Sequence, residues 1–222
     1  MRRWLLLLGL AYLLGAFPTG ALVARAYGVD LRQQGSRRTG ATNALRVLGL
    51  RAGVLVLAGD VLKGWLATTL AARWGGTPWA LPLAALCAMV GHTYSLFLGG
   101  RGGRGVATGL GALLVFSPSA CLIAAAIALP VIAVSRYVSL GSIVGASVAG
   151  LALAVQAVRG SRPRPYLLYA LLGPAFILFA HRDNLARLRA GTEPRLGDPQ
   201  PGPPAVPAGP APSPAATRPQ GD

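Results

Sequence analysis

Three stretches carry the side chains best suited to chemistry, and all three are chemistry for holding anions and hydroxyls. The first reads Gly35-Ser36-Arg37-Arg38-Thr39-Gly40-Ala41-Thr42-Asn43-Ala44-Leu45-Arg46. Small hydroxyls, an amide and several guanidiniums interleave with glycines, the composition of an oxyanion or phosphate cradle. Ser36, Thr42, Asn43 and Arg46, with Gly35 shaping the turn, are its candidate contacts. Helix caps use the same residue types, so capping stands beside ligand binding as a reading of each one. The second stretch is Gly99-Gly100-Arg101-Gly102-Gly103-Arg104-Gly105-Val106-Ala107-Thr108. Glycines there leave backbone N–H groups uncovered, with Gly102, Gly103 and Gly105 the candidates to line an anion. Arg101 and Arg104 add charge-assisted donors matched to phosphate oxygens. A helix opening near Val106 would aim its positive end at the same place. An Arg-bearing loop that merely fixes membrane topology is the competing reading. The third stretch is His181-Arg182-Asp183-Asn184, in which His181 and Asn184 share one helical face with Arg187. Asn184 can donate to or accept from a polyol hydroxyl.

Several machines are excluded. Gly100, Gly102 and Gly105 spell G-x-G-x-x-G, but no strand precedes them as a dinucleotide site requires. Gly100 and Gly105 have P-loop spacing, yet Val106-Ala107 occupy the Lys-Ser/Thr positions. No Ser-His-Asp elbow occurs, and no His has an Asp four residues on, since Leu96 follows His92 and Leu185 follows His181. Cys87 and Cys121 lie in apolar runs without metal-ligand spacing and read as small hydrophobes. No metal or cofactor is expected. Asp60 and Lys63 stand three apart in an apolar run, where each offers the other a partner. His92 reads as an interfacial histidine.

The elements that must position these residues are membrane helices. Of 222 residues, 53% are hydrophobic and 12% charged, which excludes an ordinary soluble domain. The net charge is +15, and Lys63 is the one lysine among 21 basic residues. Those bases sit in short loops between apolar runs, favouring lipid or phosphate partners over nucleic acid. Seven spans are expected: 1–24, 52–72, 79–98, 106–116, 119–134, 140–158 and 166–180. A signal peptide has the same shape as the first, but that run is long enough to span. An amphipathic segment follows at 181–190. Residues 1–197 form the membrane domain, and 198–222 a Pro/Ala-rich tail without periodicity, expected to be disordered.

Seven spans put the termini on opposite faces. Loops 25–51, 98–105 and 135–140 and segment 181–195 share one face and carry 13 arginines. The other face carries 6: Arg2, Arg3, Arg73, Arg159, Arg162 and Arg164. The positive-inside rule makes the first face cytoplasmic and the N-terminus external, although Arg2-Arg3 pull the other way.

Together these motifs resemble one family. Gly35-Ser36, Gly40-Ala41-Thr42-Asn43, Leu45-Arg46, Asp60-Val61-Leu62-Lys63-Gly64, Gly91-His92, Gly102 to Thr108, Arg136-Tyr137-Val138-Ser139-Leu140, His181, Asn184 and Gly191-Thr192-Glu193 are similar, in order, to those of bacterial acyl-phosphate:glycerol-3-phosphate acyltransferases (PlsY). The resemblance covers nearly all of residues 10–197. It implies an all-α, seven-helix enzyme of the bacterial inner membrane with a cytoplasmic active site. It implies acyl transfer from acyl phosphate to the 1-hydroxyl of sn-glycerol 3-phosphate, giving lysophosphatidic acid and phosphate. Ser36, Arg46, Arg104, His181 and Asn184 would be the catalytic group, with Ser139 and Ser142 joining the substrate contacts. Membrane lipids would be the surroundings, and a monomer would suffice. The family's first loop usually reads G-S-G-N-x-G-A-T-N, so Arg37-Arg38 replace Gly-Asn and should crowd a tight turn. Arg101 and Arg104 stand where the family usually has lysine, and Ser95-Leu96 replace an expected proline segment. A carrier or lipid-binding protein for a phosphorylated metabolite is the rival reading. A carrier should show matched broken helices in two halves, and the sequence has one clear break, at Ser117-Pro118.

Overall fold

The computed structural model describes residues 2–198, so the tail beyond Asp198 lies outside the described residues. The described chain is helical, with no strand among the described residues. The helices are α1 (Arg2–Ala16), α2 (Thr19–Ala26), α3 (Ala41–Leu48), α4 (Leu50–Trp74), α5 (Ala80–Thr93), α6 (Val106–Phe116), α7 (Pro118–Ser135), α8 (Val138–Val158), α9 (Leu167–Ala180) and α10 (Arg182–Arg189). Among the described residues, five stretches are long and apolar enough to cross a membrane: 2–26, 50–74, 80–98, 118–135 and 138–158. Two further apolar helices, Val106–Phe116 and Arg164–Ala180, are shorter.

The first expected span is not one helix. Pro18 has no N–H to continue the ladder, and the chain breaks at Phe17-Pro18. The carbonyls of Ala16 and Phe17 at this break are met from the segment after α5 and from α4. Ser95 Oγ donates to Ala16 O at 2.6 Å and Lys63 Nζ to Phe17 O at 3.1 Å. Lys63 also pairs with Asp60 at 2.9 Å, so the two charges inside α4 satisfy each other. The expected break at Ser117-Pro118 is present. Ser117 caps α7 by accepting from Ala120 N–H, with Pro118 at the first helical position.

Lipid-embedded helices gain little from hydrophobic burial and pack instead by close backbone approach at small residues. Gly64 of α4 lies against the Thr108 carbonyl of α6, and Gly111 of α6 against the Val61 carbonyl of α4. Gly15 and Gly91 join α1 to α5 in the same way. α7 and α8 form a hairpin, and α9 packs on α8. Large apolar side chains such as Leu5, Leu122, Val134 and Leu171 face outward, as a lipid-facing surface requires. The core is made of small residues and a few rings, Phe116, Tyr166 and Tyr169 among them.

One polar end of this bundle collects the three motifs. It is built from α3, the loop 99–105, α10 and the segment after α10.

Candidate active site

The 35–46 stretch is a turn followed by α3. Asn43 builds that turn rather than facing a ligand. Its side-chain N–H₂ donates to Leu31, Gln34 and Arg38 carbonyls, and its Oδ1 accepts from Ser36 N–H at 2.9 Å. Every polar atom of that amide is used, which corrects its expected role as a substrate contact. Gly35 is likewise structural, because a side chain there would overlap Asn43 Oδ1. What the pair achieves is to fix Ser36, half-buried, at the mouth of the turn, with Thr42 in the first turn of α3.

Arg37 adopts φ +56°, the left-handed region, and its side chain is exposed. A residue with a Cβ is strained in that conformation, whereas glycine is not. Arg37→Gly should therefore stabilise the protein by roughly 0.5–1 kcal/mol. Thermal unfolding in detergent should shift upward by about 1–4 °C. Arg38, the next residue of the turn, pairs with Asp183 at 3.6 Å.

The glycine loop is placed differently from the expectation. Gly102 N–H donates to Thr93 O at 3.0 Å and Gly103 N–H to His92 O at 3.2 Å. Those two amides hold the loop to the end of α5 and are not free for an anion. A side chain at either position would overlap His92, so both glycines serve close approach. Gly105, at φ +82°, turns the chain into α6, whose first turn has unpaired N–H groups. Gly40, which opens α3, lies beside Gly103, so two helix N-termini converge here. Arg101 is exposed at the outer turn of the loop. Arg104 points inward, and its Nε is buried without a hydrogen-bond partner. Burial, with help from Arg38 and Arg187, lowers its pKa to about 10, so it remains charged at pH 7.

α10 and the following segment supply the other wall. Burial, reinforced by Arg104 and Arg38, lowers His181 to about 4. Its Nδ1–H donates to Ile177 O at 2.8 Å, which leaves Nε2 of a neutral ring as an acceptor. The Asn184 side chain is buried, its Nδ2 donating to Glu193 at 2.6 Å and its Oδ1 unpartnered. Ser139 Oγ also donates to Glu193 Oε1 at 2.6 Å, and Arg187 pairs with Oε2 at 2.8 Å. Burial alone would raise Glu193, but these three donors hold it below the ordinary carboxylate value. Arg46 donates to Pro194 O at 3.0 Å through one terminal nitrogen, while its buried Nε has no partner. Burial lowers its pKa, opposed by Glu193.

The structure therefore brings Arg46, Arg104, His181 and Asn184 to one site, with Ser36 and Thr42 on the adjoining wall. Ser142 is apart. It donates to Val138 O at 2.8 Å and lines an apolar cavity beneath. Sequence reasoning missed Glu193 as the residue on which Ser139, Asn184 and Arg187 meet. It also left out Arg38 and Arg187 as cations of the site. The only available signal was the Gly191-Thr192-Glu193 triplet, which reads first as a helix stop.

His181 makes stability depend on pH. The unfolded histidine takes its proton near 6.5 and the folded one near 4. Between those values the unfolded chain binds more protons, so stability falls as pH falls from 6.5 toward 4. Thermal unfolding across that window should show a steeper loss in the wild type than in His181→Gln. Equal slopes would place His181 in a less buried setting than this one.

A protein-family model described as Glycerol-3-phosphate acyltransferase matches residues 5–191. The chain belongs to this family. It is 48% identical over 196 residues to Glycerol-3-phosphate acyltransferase 2 of Moorella thermoacetica, covering 88% of this chain and 98% of the relative. It is 47% identical over 195 residues to a Glycerol-3-phosphate acyltransferase of Thermus thermophilus, covering 88% and 95%. Among solved structures it is similar to PlsY (YgiH), an integral membrane glycerol 3-phosphate acyltransferase, in its glycerol 3-phosphate form. The TM-score is 0.81 at 40% identity, over 87% of this chain and 96% of that one. The lysophosphatidic acid form of the same enzyme gives 0.79 at 39% identity, over 86% and 94%.

Proposed function

We propose that this protein transfers a fatty acyl group from acyl phosphate to the 1-hydroxyl of sn-glycerol 3-phosphate, yielding lysophosphatidic acid and inorganic phosphate. The observation that carries the reading is a set of buried, unsatisfied groups gathered around Glu193: Arg46 Nε, Arg104 Nε and Asn184 Oδ1. A buried guanidinium N–H left unpaired costs stability, and a bound phosphate oxygen is its natural acceptor. The relatives' names give glycerol 3-phosphate as their acceptor, and the solved relative is known in glycerol 3-phosphate and lysophosphatidic acid forms, which supports this reading.

An acyl phosphate is already activated, so no covalent enzyme nucleophile is needed. Arg46 and Arg104, with Arg38 and Arg187 near, would hold two phosphates that would otherwise repel. His181 Nε2 and Asn184 would orient the glycerol hydroxyls, and Ser36 would add a neutral donor. The 1-hydroxyl oxygen attacks the acyl carbonyl carbon and the new ester C–O bond forms. The bond from that carbon to the phosphate oxygen breaks. The hydroxyl proton passes to a phosphate oxygen, which is consistent with a histidine too acidic to serve as base at pH 7.

The seven apolar segments would all be membrane-inserted in the bacterial inner membrane. The arginine-rich end carrying the site would face the cytoplasm, by the positive-inside rule. The protein would act as a monomer, without cofactor. A donor comparison tests the chemistry. Purified protein should form lysophosphatidic acid from glycerol 3-phosphate with palmitoyl phosphate and not with a palmitoyl thioester, which offers the cations no phosphate at the acyl carbon. Turnover with the thioester at equal or greater rate would overturn the donor assignment. Binding of glycerol 3-phosphate without turnover on either donor would favour the carrier reading.

A further inference from the structure

An apolar cavity of about 210 Å³ lies in the helical bundle, and Val106 and Ile177, which stand close in sequence to Arg104 and His181, are among its lining residues. Val106, next to Gly105, and Ser142, one turn beyond Ser139, line the end of the cavity nearest those residues in the chain. The cavity runs inward between α6, α7, α8 and α9. Along α8 its wall extends from Gly141 to Gly150, about 14 Å at 1.5 Å per residue. It then stops at its inner end. On α6 the wall ends at Leu113, one turn short of Phe116, which is 0% exposed. On α8 it ends at Gly150, one turn short of Leu153, also 0% exposed. On α9 it ends at Tyr169 itself.

These three side chains are fixed. The Phe116 ring lies 4.7 Å from the Tyr169 ring and 5.0 Å from Tyr166. Tyr169 Oη donates to Gly109 O at 2.8 Å, which pins its ring against α6. Phe116, Leu153 and Tyr169 belong to the buried core cluster, and protein cores are close-packed.

We propose that Phe116, Leu153 and Tyr169 form a floor that sets the longest acyl chain the enzyme accepts. The inference rests on the acyl-transfer reading above, with the donor's chain as occupant of the cavity directly under its phosphate. A donor arriving from lipid gains no hydrophobic free energy by entering an apolar cavity, since lipid is equally apolar. Selectivity then comes from steric exclusion at the closed end. A methylene too many in a filled apolar pocket costs about ten-fold or more in kcat/KM. The cavity also has a side. Leu110 and Leu129 line it and are themselves exposed, so it opens between α6 and α7 toward the bilayer. That opening admits the chain, and it is also the route by which a long chain could escape the floor.

The test is kcat/KM for saturated acyl phosphates of increasing length at fixed glycerol 3-phosphate. The wild type should fall off sharply past one length. Leu153→Ala and Phe116→Leu should move that limit to longer chains by two or more methylenes. Ala149→Leu, which fills the cavity from its α8 wall, should move it to shorter ones. Activity on the shortest donor in each variant reports that the site is folded. A limit that stays put in all three variants, each active on the short donor, would overturn the floor and place the chain's end between Leu110 and Leu129. A wild type inactive on every length would instead count against the acyl-transfer reading itself.

Discussion

Arg104→Ala is expected to lower kcat/KM for acyl transfer by about 10²–10³-fold, the usual cost of one preorganised donor to developing or bound anionic charge. The Arg104 Nε is buried and finds no partner among the described residues. Removing the side chain therefore strands no partner and relieves a buried charge among Arg38 and Arg187. The unfolding temperature should stay the same or rise while activity collapses, a separation that a purely structural arginine would not give. Arg104→Lys should recover part of the activity, because charge is kept and the planar fork is lost. Arg101→Ala, at the exposed turn of the same loop, should fall within a few-fold of wild type. Comparable losses at both positions would mean that the loop acts through bulk charge and not through one inward guanidinium.

Glu193→Ala should have the opposite signature, losing fold and function together. The carboxylate is 5% exposed and receives Ser139 and Asn184 at 2.6 Å and Arg187 at 2.8 Å. Charged hydrogen bonds of this kind contribute about 1.5–3 kcal/mol each, and deleting the acceptor strands buried donors. A loss of at least about 2 kcal/mol is expected, read as a drop in unfolding temperature. Activity should fall steeply as well, because Asn184 loses the bond that orients it and the segment carrying the Pro194 carbonyl, which accepts from Arg46, loses its anchor. Glu193→Gln, with its amide oxygen at the Oε1 position, should keep the bonds from Ser139 and Asn184 and lose the Arg187 pairing, so it should lie between. A stable, active Glu193→Ala would remove the segment after α10 from the site.

The apolar segments were legible because membrane spans announce themselves by length and composition. Helices α6 to α9 begin and end close to where the apolar runs put them. The break at Phe17-Pro18 was not, since the apolar run continues unbroken across it and only the freed carbonyls, met by Ser95 and Lys63, reveal the bend. Helix α3 was hidden inside a loop whose Ser, Thr and Asn fit caps and ligands equally. In the site, residue type predicted location better than role. Arg46, Arg104, His181 and Asn184 come together as expected, but the amides of Gly102 and Gly103 and the side chain of Asn43 are consumed by the loops themselves. Glu193 was invisible as a centre because its partners Ser139, Asn184 and Arg187 come from two other elements, and one carboxylate near a helix stop carries no pattern.

Direct acyl transfer between two substrates held on one cationic site requires no acyl-enzyme. Inorganic phosphate release from palmitoyl phosphate by the purified protein, with and without glycerol 3-phosphate, tests this most directly. Release is expected only when glycerol 3-phosphate is present, with one lysophosphatidic acid formed per phosphate. A burst of phosphate without the acceptor, leaving the acyl group on the protein, would contradict it.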